Sequence, residues 1–192
     1  MGRPKEFDRD DVLARALDVF WAKGYEATSL DDLTGAMGVG RGSLYNEFRD
    51  KHSLFIAALD RYRSDRLAQL TAILEATPSA RAGIAAALRG TAMALWADEQ
   101  RRGCLMVNST TELASSDPAV AARARESFEN TARAFRSALE RGQQSGELAG
   151  DLDIRATSRF LASALNSLRL LAKMSDRAVA NDVVEVTMMA LD

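Results

Sequence analysis

Apolar residues recur every three to four positions along almost the entire chain, the spacing that puts them on one face of a helix. In the first such run, about 9–23, Val12, Ala16, Val19 and Phe20 share a face, with Leu13 and Leu17 beside them, and Gly24 stops it. A short helix is predicted over 30–37, where Ser29 and Asp32 have capping-box spacing with aspartate in place of glutamate. Gly38-Val39-Gly40 breaks the pattern, and a third short helix follows over 41–48. Asp50 is placed to cap a long helix over 51–75, ended near Pro78. Further helices are expected over 80–98, 104–113, 118–144, 153–174 and 177–191, with Asp117 capping the seventh and Pro118 at its first position. The reading is all-α, about nine helices and no strand. A three-helix N-terminal unit over 1–52 precedes a larger helical unit over 53–192.

Two short helices joined by a glycine-containing turn and braced by a helix before them describe a helix-turn-helix. Val39 would plug the small core with Leu30, Leu33, Leu44 and Phe48 against Val19 and Phe20. The other side of the third helix would then carry Arg41, Gly42, Ser43, Tyr45 and Asn46. Four of these can hydrogen-bond to DNA, and Gly42 lets the backbone approach closely. In this motif the second helix enters the major groove with its N-terminal residues near the bases.

The stretch from Thr28 to Lys51, TSLDDLTGAMGVGRGSLYNEFRDK, resembles the signature of the tetracycline-repressor (TetR) family of bacterial regulators, as does the preceding helix with Phe20 and Gly24-Tyr25. The match covers roughly residues 8–62. It implies a double-stranded DNA partner with a palindromic operator, bound by a homodimer. It further implies that Thr28 contacts phosphate, Ser43 and Asn46 face bases, and Arg41 reaches a base edge or a phosphate. Tyr45 and Lys51 would reach the backbone, with His52 an additional candidate. Arg3 and Lys5 would form an arm near the minor groove. Two positions depart from the pattern. Gly40 stands where serine is common, and Glu47 stands where an aromatic residue is common. Glu47 either points away or accepts from a cytosine amine.

After residue 75 the resemblance is one of architecture only. It implies a ligand-binding and dimerisation domain. The stripe Ile154, Leu161, Leu168 and Ala172 is the expected dimer interface, with Leu165 on the same stripe. An effector pocket is expected between the fifth and eighth helices, with Met93, Trp96, Met106, Phe128, Phe135 and Leu165 as lining candidates. Their mix of methionine and aromatic groups suggests an apolar or aromatic small molecule. Cys104 follows two arginines and begins a helix, both of which favour a thiolate. It is therefore a candidate redox sensor whose modification would weaken DNA binding, with a small buried hydrophobe as the alternative.

Charge and composition sharpen this reading. Residues 1–52 hold 8 Lys/Arg against 10 Asp/Glu, and the remainder holds 17 of each, so no unit is basic in bulk. Any grip on DNA must come from a few placed groups. No apolar run approaches the ~20 residues that cross a bilayer, and the N-terminus lacks a signal sequence, so a cytoplasmic protein is expected. The one cysteine excludes an internal disulfide. The one histidine lacks a Glu-x-x-His partner, which excludes a di-iron site of that kind. No metal site, cofactor or nucleophile–base pair is visible, so an enzyme is not expected. A helical dimer scaffold that binds no DNA is the competing class.

Overall fold

The computed structural model describes residues 8–174 and 176–191. Among them the chain forms nine helices and no strand. These are α1 Arg9–Lys23, α2 Leu30–Met37, α3 Arg41–Phe48, α4 Lys51–Glu75, α5 Ala80–Ala97, α6 Leu105–Leu113, α7 Pro118–Gln144, α8 Ile154–Leu171 and α9 Arg177–Met189. The all-α reading holds, and so do most of the helix ends.

Local chemistry explains those ends. Asp8, Ser29, Asp50, Ser79, Asp117, Asp153 and Asp176 each cap a helix by accepting first-turn amides, groups that have no partner within the helix itself. Gly38 takes φ 68°, ψ 28°, the left-handed conformation that a side chain disfavours, and closes α2.

The buried residues form two clusters. The first joins α1, α2, α3 and the front half of α4, as far as Tyr62, to Cys104, Leu105, Met106, Leu113 and Val120. The second joins Leu70 and Leu74 of α4 to α5, α7, α8 and α9. The long helix α4 is therefore shared, and α6 packs under the N-terminal unit. The boundary expected at residue 52 falls inside an unbroken helix whose first three turns belong to the N-terminal core.

The structure corrects the expected dimer stripe. Leu161 and Leu168 are fully buried in the chain's own second core, Ala172 is buried as well, and Ile154 is half-buried against that core. A second stripe on α8, Phe160, Ser163, Ser167, Leu170 and then Met174 just beyond its end, lies exposed. On α9, Val179, Val186 and Met189 are exposed as well, the last two at 62% and 65%. The periodicity of α8 carries two adjacent apolar stripes. The richer one is consumed by the fold, leaving the one interleaved with serines uncovered.

Candidate nucleic-acid interface

The α2–turn–α3 unit is fixed from below. Leu33, Met37, Leu44 and Phe48 are buried with Phe20 and Phe55, and Val39 packs against them from the turn. Phe20 and Phe55 meet edge to face at 5.0 Å between centroids. At the start of α2 the Ser29 hydroxyl accepts the Asp32 amide at 3.0 Å, and Asp32 accepts the Ser29 amide at 2.9 Å. Lys23 reaches the same carboxylate from the last turn of α1. That lysine bond, followed by the Ser29 amide and hydroxyl, holds the Asp32 carboxyl well below the usual carboxylate range.

With its inner face committed, α3 presents Arg41, Gly42, Tyr45 and Asn46 to solvent, and Ser43 is half-buried. Tyr45 is 46% exposed, unusual for so large a ring. The Arg41 guanidinium donates to Asp31 at 2.7 Å, an exposed pair between the two helices of the motif. No atom lies within 4 Å of a Cβ added at Gly40 or Gly42, so both mark open ground. Glu47 accepts from the Arg9 guanidinium at 2.9 Å. Glu47 is thus tied to α1, partly neutralised.

The flanking groups divide. The Lys51 ammonium sits 4.3 Å from the Tyr25 ring centroid, half-exposed at the start of α4. His52 Nε2 lies 2.7 Å from the carboxylate of Asp117, the cap of α7, so it ties the N-terminal unit to the larger one. Thr28 is 2% exposed, and its hydroxyl donates to the Gly24 carbonyl. Here the expected phosphate contact gives way to an internal one, because the turn between α1 and α2 uses the hydroxyl to close itself. Arg3 and Lys5 lie outside the described residues.

Three further links had no sequence signal, two from the larger unit and one, through Arg61, within the N-terminal core. The Trp21 indole donates to the Gly103 carbonyl at 3.1 Å. The Glu112 carboxylate accepts the amides of Tyr25 and Glu26 at 3.1 and 2.9 Å. The Arg61 guanidinium bonds the Asp10 carbonyl at 2.6 Å.

A cavity of about 340 Å³ lies between α1, α4, α5 and α8, closed on one side by the turn that precedes α6. Its apolar wall includes Trp21, Leu70, Ile73, Leu95 and Leu165. A smaller cavity of about 160 Å³ adjoins it, and Tyr62, Arg66, Cys104 and Arg169 line both. Of the residues expected to line a pocket, Leu165 lines the larger cavity and Met106 the smaller. Met93 is 72% exposed on the outside of α5, and Phe135 is sealed in the second core. Phe128 and Trp96 pack partly buried at the edge of that core. Residue type alone singles out these four, and the helix faces they occupy turn away from the cavity. Cys104 is buried at the N-cap of α6 beside Tyr62. Burial, then the neighbouring Cys104 thiol, pushes the Tyr62 phenol well above its usual range, and Arg66 and Arg169 pull it back. Among the described residues no group of three His, Cys, Asp or Glu side chains is arranged to hold a metal ion, and no helix is long and apolar enough to cross a membrane.

A recognition-type helix held outward by a capped partner helix, on a larger helical body with a cavity between its helices, defines a helix-turn-helix DNA-binding regulator. Comparisons with known proteins agree. Residues 12–58 match the family described as bacterial regulatory proteins, tetR family, and residues 81–188 match the tetracyclin repressor-like C-terminal domain. The chain belongs to the TetR family of transcriptional regulators. It is 37% identical to the uncharacterised HTH-type regulator YezE of Bacillus subtilis (strain 168), over all of both chains. It is 36% identical to the HTH-type transcriptional repressor ComR of Escherichia coli (strain K12), over 90% of this chain and 82% of that one. Among solved structures, a cysteine mutant of the TetR-family regulator CifR, complexed with 26-bp operator DNA, superposes with a TM-score of 0.87 at 38% identity, over 99% of this chain and 100% of that one.

Proposed function

We propose that the chain is a homodimeric repressor that leaves its operator when a small molecule enters the cavity between α1, α4, α5 and α8. The observation that carries the reading is the outer face of α3. Arg41, Gly42, Ser43, Tyr45 and Asn46 share it, and caps at both ends of α2 fix its position. Arginine and asparagine suit bidentate contacts to guanine and adenine, and Tyr45 and Lys51 suit phosphate. Two copies joined through the exposed stripes of α8 and α9 would present two such helices to one palindrome. ComR carries the name of a repressor, and CifR was solved on operator DNA. The protein would act on the bacterial chromosome in the cytoplasm, with no catalytic step and no cofactor.

Mobility shift of the DNA upstream of its own gene tests this. We expect a specific shift that weakens steeply with salt and is lost on Tyr45→Ala. No shift on any fragment overturns it.

Cys104 supports a second route to the same release. Its thiol lines both cavities beside Tyr62 and begins the helix that carries Glu112 to the DNA-binding unit. A reagent small enough to enter the cavity and bond to sulfur would wedge that turn. Cys104→Ser should keep DNA binding and lose release by thiol reagents. Normal release in that variant overturns this route.

A further inference from the structure

The charges around the cavity do not balance. In the larger cavity Asp98 is already engaged by Arg102, whose Nε donates to it at 3.2 Å and whose guanidinium also faces Asp18 at 3.6 Å. In the smaller cavity Asp60 is taken by Arg63 and by Arg123, both at 2.9 Å, and Arg63 also meets Glu126 at 2.7 Å. Each carboxylate thus has its guanidinium. Two lining cations are left over. Arg66 donates to the neutral amide of Gln69 at 2.9 Å, and its Nε is buried with no hydrogen-bond partner. Arg169 donates to the neutral amide of Asn166 at 3.0 Å. Neither has a carboxylate partner among the described residues, yet both are half-buried and both line both cavities.

The surroundings add to the imbalance. The Cys104–Leu105 start of α6 opens at this wall, and a helix N-terminus carries partial positive charge. Arg66 also lies over the Trp21 and Tyr62 rings, at 5.7 and 5.1 Å from their centroids, so its plane is held by packing. Much of the remaining wall is apolar: Trp21, Leu70, Ile73, Leu95 and Leu165.

We infer that the cavity takes an organic anion with an apolar body, its carboxylate, sulfonate or phosphate set between Arg66 and Arg169. This rests on the effector reading above and adds to it a required charge. Guanidinium groups bind such oxyanions in fork geometry, with bonds roughly twice as strong as neutral ones. A partly desolvated pair of cations with no counter-ion favours a ligand that supplies one and penalises a neutral ligand that buries them unpaired.

Two fluorescent probes of nearly the same shape test it: 1-anilinonaphthalene-8-sulfonate and its uncharged parent N-phenyl-1-naphthylamine. With the full chain we expect the sulfonate to bind roughly tenfold or more tighter. Arg66→Gln with Arg169→Gln should abolish that preference while leaving the parent's affinity unchanged. Ala94→Trp, which fills the cavity from α5, should remove both signals if they arise there. Circular-dichroism melting confirms that each variant folds. Equal binding of the two probes, or a sulfonate preference that survives in the double variant, overturns the inference but leaves a neutral effector possible. If neither probe binds in a way that Ala94→Trp blocks, the inference fails too. The effector reading would then stand or fall separately, on whether cell extract releases the DNA from the wild-type protein and not from Ala94→Trp.

Discussion

The Glu112 carboxylate, one residue from the end of α6, accepts the Tyr25 amide at 3.1 Å and so grips the turn that leads into α2. The same helix begins at the cavity wall with Cys104. One rigid rod of nine residues therefore touches the cavity at one end and the DNA-binding unit at the other. Removing the grip should loosen the turn without unfolding the protein. In Glu112→Ala the amides of Tyr25 and Glu26 should exchange with solvent faster, while the Thr28 amide, bonded to the Tyr25 carbonyl, changes less. The global cost should be about 1 kcal/mol, because the carboxylate is exposed and water replaces it in part. Hydrogen exchange resolved by residue checks this. Unchanged exchange at both amides would show that the turn holds itself.

Gly40 offers a substitution that should stabilise. It is the N-cap of α3 at φ −72°, ψ 158°, a conformation open to any residue, and it makes no side-chain cap. A Cβ there meets nothing within 4 Å. Gly40→Ser supplies the missing acceptor and restricts the unfolded chain, for a gain of a few tenths of a kcal/mol to about 1. Thermal melting should show a small rise. Gly38→Ala should do the reverse by about 1 kcal/mol: its neighbours leave room, but φ +68° strains any side chain.

The helices were legible because each advertises itself twice, by its apolar period and by its cap. Asp117-Pro118 marks the start of α7 from sequence alone, and the structure uses Asp117 as the cap. The outer face of α3 was legible by subtraction, since Leu44 and Phe48 must point inward. Failures came where one helix offers two faces. On α8 the stripe through Leu161 and Leu168 and the stripe through Phe160 and Leu170 differ little in period, and only packing decides between them. The cavity was least legible. Its wall draws Trp21 from α1, Arg66 from α4 and Arg169 from α8, residues more than a hundred positions apart at the extremes, and nothing local marks them as neighbours. Thr28 misled for a related reason: an exposed-looking threonine in a turn can satisfy the turn itself.

Acid should loosen the joints between elements together. Asp50 is held below its ordinary carboxyl range, first by the Ser53 amide and then by the Ser53 hydroxyl. Burial raises Asp117, but bonds from His52 and from the Val120 and Ala119 amides outweigh it, and the net shift is downward. Glu147, which caps α5 from a distance through the Ser79 hydroxyl and the Ala80 and Arg81 amides, is shifted the same way after burial is outweighed. A carboxyl whose folded value lies below its unfolded one contributes stability above the unfolded value. That stability is lost as pH falls through the folded one. With unfolded values near 3.9–4.3, the melting temperature should hold steady above about pH 5 and decline below it. Asp117→Asn keeps a cap oxygen but cannot titrate, so it should be less stable at neutral pH and show a shallower acid decline. A decline of unchanged steepness would place the acid sensitivity elsewhere.

The exposed stripes on α8 and α9 make the last prediction. Phe160, Leu170, Met174, Val179, Val186 and Met189 are large apolar groups left in water on adjoining helices near the C-terminus. Packing them against a second copy would remove apolar surface worth about 25 cal/mol per Å² and let the serines of α8 bring the backbones close. Val186→Glu puts a charge into the middle of that face without touching the chain's own core, since Val186 is exposed and Val184 and Thr187 carry the inward side of α9. Light scattering should report a monomer of about 20.9 kDa for Val186→Glu and twice that for the wild type. The variant should melt close to the wild-type α-helical transition at high protein dilution, where the wild type also dissociates. It should bind a half-site weakly and lose binding to the full palindrome, because the N-terminal unit is net acidic and one copy has few cations to spare. A dimer that persists in Val186→Glu and in Phe160→Glu would move the interface to another face of the fold.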